Sequence, residues 1–328
     1  MTSAKGIIVA AVAIAALLLG TGSVGGGIPP SPAAAVTGNT AFGSRLYVEK
    51  DTDAARAAAR LDTEGQPQSA ALIRQISSQP TAVWLGEWFG TDLLKRILAR
   101  HVEAAKLQGA TPVFVTYGIP NRDCGGYSAG GFTADQYLDW NRTIAASLAG
   151  TRAVVLVEPD SLAMLPSTKC TGEAERRLPL LRGAVDILRA AGLSVYLDGG
   201  NSSWRTPDVQ AGLLTQANVA NATGFYTNVA NFNRTQVERD YAGKLSSRVG
   251  WKHYVIDVSR NGNGWTGTWC NPPGAALGRN PYVTDGTTKL DALLWVKHPG
   301  ASDGTCNGGP AAGAWWESYA LDLVRLRG

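Results

Sequence analysis

Four aspartates, Asp123, Asp160, Asp198 and Asp303, come shortly after apolar runs that have the length and composition of buried strands. Two stretches are the most informative. Residues 115–131 hold Tyr117, Pro120, Arg122, Asp123 and Cys124, and residues 154–163 run from Val154 to Val157 before Glu158, Pro159 and Asp160. If parallel strands carry these residues, their loops open on one face of one sheet and the carboxylates meet. Clustered carboxylates cannot all ionise cheaply, because each negative charge raises its neighbours' pKa, so one should keep its proton near neutrality. A protonated carboxyl beside a carboxylate can cleave a glycosidic bond: one group protonates the leaving oxygen, the other handles water or the developing positive charge.

The aromatic residues suit a sugar. Trp84, Trp88, Tyr117, Trp204, Trp265 and Trp269 fall in or near the same post-strand loops, where flat rings can cover the apolar faces of pyranoses. A tryptophan taken singly is more often a packing residue. Position in the loops is what favours Trp84, Trp204 and Trp269 as binding residues.

Short β-rich runs recur at residues 82–85, 112–117, 153–157, 194–197, 224–226, 253–256 and 292–296, and most are separated by longer amphipathic segments such as 92–106, 134–148 and 173–191. This alternation predicts an α/β fold with a parallel sheet of about seven strands. Polar or aromatic groups follow almost every strand, which favours a β/α barrel with one functional mouth over an open doubly wound sheet with a single crevice. The expected fold is a distorted, incompletely closed parallel barrel, a variant of the TIM barrel.

The chain has 328 residues, 45% hydrophobic and 17% charged, with a formal net charge of +4 and its Lys and Arg scattered. Nucleic acid is therefore not an expected partner. Lys5, the apolar run 7–19 and Ala33, Ala34 and Ala35 read as a secretory signal over residues 1–35, or as an uncleaved anchor. A linker (36–44) and a catalytic domain (45–328) follow in this reading, outside the cytosol. Export favours disulfides, and Cys124, Cys170, Cys270 and Cys306 allow three pairings. Pairing sequence neighbours, Cys124 with Cys170 and Cys270 with Cys306, would staple loops just beyond carboxylate-bearing strands. With three histidines and no Cys-x-x-Cys, no zinc site is expected, nor any other cofactor. A monomer is the expected state.

The motifs resemble glycoside hydrolase family 6, the cellulases that cleave β-1,4-glucan with inversion. One signature is met by Tyr117, Pro120, Arg122, Asp123, Cys124 and the small residues from Ser128 to Gly131; another by Val154 to Leu162. Further matches at Tyr196 to Asp198, Phe225 to Asn231, Trp269 to Asn271, and Trp295 to Lys297 leading to Asp303 keep the family's order from about Trp84 onward. The resemblance implies that Asp160 is the general acid, that Asp123 keeps it protonated, and that Tyr117 presses on the distorted sugar. It implies that Asp303 stands where a base has been proposed, although a water chain ending elsewhere is an alternative. It places Trp84, Asp198, Trp204, Asn228, Trp269, Lys297 and Ser128 in the substrate-binding set. This chain departs from the family at Ala301, usually Glu, and at Asn201, commonly His. Loops shorter than those that roof a tunnel point to an endoglucanase, with a cellobiohydrolase as the alternative within the family. Loss of substrate contacts at those two positions makes a glucan-binding protein with reduced catalysis a further reading. A serine esterase using Ser128 in Gly126 to Gly130 fits poorly, because the nucleophile elbow needs a strand running directly into the serine.

Overall fold

The computed structural model describes residues 41–327. The signal or anchor reading for residues 1–35 and the linker up to residue 40 lie outside the described residues.

The first helices are α1 (Asp53–Thr63) and α2 (Pro67–Ser77), packed as a pair before the first strand. The sheet then grows strand by strand: β1 (Val83–Leu85), β2 (Val113–Thr116), β3 (Val154–Val157), β4 (Ser194–Asp198), β5 (Gly224–Thr227), β6 (His253–Asp257), a two-residue β7 (Tyr282–Val283) and β8 (Leu290–Leu294). Their order is β1-β2-β3-β4-β5-β6-β8-β7. All seven strands foreseen from the apolar runs are present and mutually parallel. The antiparallel edge strand β7 was not foreseen; a two-residue strand has no periodicity to read.

Every residue of β2, β3, β5 and β8 is buried, as expected for a parallel sheet covered on both faces. Alternation decides which side each residue fills. Val113, Val115, Val154, Leu156, Tyr196, Tyr226 and Val255 form an inner cluster, whereas Phe114, Val155, Val157, Val195, Leu197 and Phe225 belong to the outer one beneath the helices. Those helices are α3 (Thr91–Leu107), α4 (Ala134–Leu148), α5 (Glu173–Ala190), α6 (Pro207–Gln216), α7 (Thr235–Arg248) and α8 (Glu317–Arg325). Thr133 and Gln136 start α4 with a reciprocal capping box, which satisfies two otherwise orphaned N–H groups.

The barrel does not close by a ladder. The Ala82 N–H donates to the Trp295 carbonyl at 3.1 Å, and the Trp84 indole N–H to the Val296 carbonyl at 2.9 Å, so side chain and backbone join the β1 and β8 ends. Within residues 41–44, expected as the end of a linker, Ala41 and Phe42 are buried with the inner cluster, and Thr111 Oγ1 donates to the Phe42 carbonyl at 2.6 Å, while Ser44 is exposed. An aromatic side chain that fills the inner cluster outweighs the Gly/Ala-rich composition that suggested a linker.

Candidate active site

Parallel register sets the site. Thr116 pairs with Val157, Val157 with Leu197, and Asp198 with Tyr226, so the residues that follow each strand emerge on one rim. There the backbone is held in conformations L-residues avoid: Asn121, Asp123, Cys124, Glu158, Asp160, Asn228 and Ala230 have φ between 46° and 69°. Each such residue costs about 1–2 kcal/mol, somewhat less for Asn and Asp. Buried carboxylates brace these loops. Glu158, directly after β3, accepts from the N–H groups of Gly118 (3.0 Å) and Ile119 (3.1 Å) in the loop after β2. Asp198, ending β4, accepts from Leu162 and Ala163 at 3.1 Å each, just after Asp160, and from Gly200 at 2.8 Å. Asp257, ending β6, accepts from Lys297 at 3.0 Å and Ala230 at 3.2 Å. Burial pushes all three carboxyls up, while the backbone donors favour the charged form and pull them back.

The rim opens into a cleft of about 740 Å³ whose lining includes Asp123, Asp160, Trp204, Trp265 and Trp269. Burial, then the charges of Asp198 and Asp123, push the Asp160 carboxyl well above the usual range; Lys297 opposes them and Asp303 adds to them. Asp123 accepts the Ser128 N–H at 2.8 Å through Oδ2. The Tyr117 phenol is raised by burial and by Asp160 and Asp123; its ring meets Trp84 edge-on at 5.1 Å, and the Arg122 guanidinium lies 4.5 Å from its centre. Ser128 follows the short helical turn Asp123–Gly125 and not the end of β2, so the strand-to-serine elbow of an esterase is absent.

Asp303 is different. Arg260, itself fully buried, holds both its oxygens at 2.9 and 3.0 Å, Lys297 Nζ lies 3.1 Å away, and the Asn271 N–H donates at 2.9 Å. Burial alone would raise this carboxyl, but Arg260 and Lys297 outweigh it and hold it below the usual range. Asn228, expected to touch substrate, requires correction. It is fully buried, and its amide donates to the carbonyls of Asp257 (2.9 Å) and Asn233 (3.2 Å), so it holds the turn after β5. Asp198 likewise has both oxygens engaged by backbone N–H groups beneath the cleft. Asn201 lines the cleft while accepting the Ser203 N–H at 3.0 Å, and Ala301 lies in a separate small hollow beside His298 and Trp315.

Tyr127, Lys169 and Asn231 also line the cleft and were not singled out from sequence. Tyr127 sits 6.2 Å from Trp269, and only adjacency to Cys124 and Cys170 hinted that this loop pair faces the site. Both neighbour pairings of the cysteines form: Cys124–Cys170 and Cys270–Cys306, with Cα separations of 5.5 and 6.1 Å.

A parallel barrel whose strand ends converge on carboxylates in a tryptophan-lined cleft has its site where β/α-barrel enzymes carry theirs. The family model for glycosyl hydrolases family 6 matches residues 41–327, and the chain belongs to that family. It is 42% identical over 255 residues to endoglucanase A of Cellulomonas fimi, covering 78% of this chain and 56% of that one. It thus spans little more than half the length of that relative. To endoglucanase 1 of Streptomyces halstedii it is 37% identical over 306 residues, covering 90% and 92% of the two chains. The solved structure of the endoglucanase Cel6 from Mycobacterium tuberculosis, in complex with methyl-cellobiosyl-4-deoxy-4-thio-β-D-cellobioside, superposes with a TM-score of 0.81 at 39% identity, covering 88% of this chain and 99% of that one.

Proposed function

We propose that this protein is an endo-β-1,4-glucanase that hydrolyses internal bonds of cellulose or a related β-glucan with inversion. The observation that carries the reading is Asp160: a carboxyl in the cleft wall whose charged form is disfavoured by burial and by three neighbouring aspartates. It serves as the general acid, giving its proton to the glycosidic oxygen as the bond breaks. Asp123 keeps that proton in place and offsets positive charge on the sugar. Tyr117, wedged between Trp84 and Arg122, presses on the ring at the cleavage point. Trp204 and Trp269 stack on sugars in the cleft; Trp84, Lys297 and Ser128 complete the binding set. Asp198 acts from beneath, fixing the turn that presents Asp160.

Asp303 is the ionised carboxylate available to take a proton from the attacking water. Its ion pairs with Arg260 and Lys297 favour a charge-holding carboxylate over a strong base. Two disulfides support an exported, secreted protein. The test is a time course of viscosity and reducing ends on a soluble β-1,4-glucan, with product anomers followed by NMR. Rapid thinning with few new ends and an initial α product is the expected result. Retained β product would sink the inverting assignment, slow thinning with steady cellobiose release the endo one, and binding without new ends the catalytic one.

A further inference from the structure

Behind the cleft floor lies a cation that neither motif nor proposed chemistry uses. Arg177, on the first turns of α5, is 1% exposed. Its Nη1 donates to the Ser161 carbonyl at 3.0 Å, next to Asp160. Its Nη2 donates to the Asn121 carbonyl at 2.9 Å and lies 3.5 Å from Cys124 Sγ, on either side of Asp123. One guanidinium thus joins the loops carrying the two cleft aspartates. Burial lowers the pKa of this guanidinium from its ordinary value, and the charges of Glu173, Glu158 and Asp198 oppose that shift.

Both loops need such a tie. Asn121, Asp123, Cys124 and Asp160 all have left-handed backbones, and a loop relaxing from that geometry would carry its aspartate with it. A buried set of paired charges adds little net stability over a wholly apolar replacement of the set, so what this cation contributes to the site is geometry. Arginine's planar fork can satisfy two carbonyls at a fixed separation, whereas lysine is a point donor.

We propose that Arg177 is a positioning residue for the acid pair, setting the placement of Asp160 relative to Asp123 and the scissile oxygen by tying the Ser161 and Asn121 carbonyls together. This rests on the assignment of Asp160 as general acid. A misplaced acid should hurt substrates whose leaving group needs a proton and spare those whose leaving group does not.

The test compares Arg177→Lys and Arg177→Met with Asp160→Asn in the full chain, on cellotetraose and on a dinitrophenyl cellotrioside. Cellotetraose kcat should fall about 10- to 100-fold in both Arg177 variants with KM within about threefold, and dinitrophenyl turnover should stay within about threefold of wild type. Wild-type kcat on cellotetraose, or equal losses on both substrates, would overturn the proposal. If the Met variant does not fold, the Lys variant, which keeps the charge, decides alone. Asp160→Asn separates the two levels: loss on cellotetraose with dinitrophenyl turnover retained upholds the acid assignment whatever Arg177 does, while full cellotetraose activity removes that assignment and this proposal with it.

Discussion

Asp160 and Asp303 follow parallel strands at the same rim, yet their surroundings push them in opposite directions. Around Asp160 the nearby charges are mainly carboxylates, and burial adds to their repulsion. Around Asp303 a buried Arg260 and a partly buried Lys297 overcome burial and keep the group ionised. One residue type is pushed towards the neutral acid in one loop and towards the anion in the other, according to which charges the neighbouring loops deliver.

The sharpest way to break this contrast is Asp160→Asn, which should cut activity on unactivated β-1,4-glucan about 100- to 10,000-fold, measured as reducing ends. A variant within a few-fold of wild type would place the acid elsewhere. On the other side, Arg260→Met leaves Asp303 buried with one cation fewer. It should cost about 3–5 kcal/mol of stability, read as a fall in the urea midpoint. Little change would mean that water replaces the guanidinium easily and that the anion is not firmly held.

Asp123→Asn sharpens the Asp160 side. Removing that charge lowers the pKa of Asp160, so the alkaline limb of kcat/KM, where the acid loses its proton, should move to lower pH. An unmoved limb would show that burial and Asp198 suffice without Asp123. The smallest expected effect is on stability. Because the folded pKa of Asp160 lies above its unfolded value, its contribution is fully present below the unfolded pKa and is lost as pH rises through the folded one. Asp160→Asn should therefore gain in Tm relative to wild type as pH rises through that range, and parallel Tm–pH curves would contradict it.

Much of the frame was legible. Val113 to Thr116 and Val154 to Val157 are apolar runs bounded by polar residues, and such runs are strands because burial on both faces leaves them little else to be. The convergence of Asp123 and Asp160 followed from parallel order. Asn228 was misplaced because a polar residue after a strand reads the same whether it faces sugar or, as here, its own turn. Tyr127 and Arg177 escaped notice because their partners, Trp269 in one case and Asn121 and Ser161 in the other, lie far along the chain.

Local pattern thus determined strand identity, the parallel barrel and the rim on which the acids sit, since each depends on burial and polarity over a few consecutive residues. Tertiary structure alone decided which aspartate is crowded by anions and which is clamped by cations. It also decided which carboxylates brace backbone loops, because hydrogen bonds and charge interactions depend on distances between loops that no local pattern encodes.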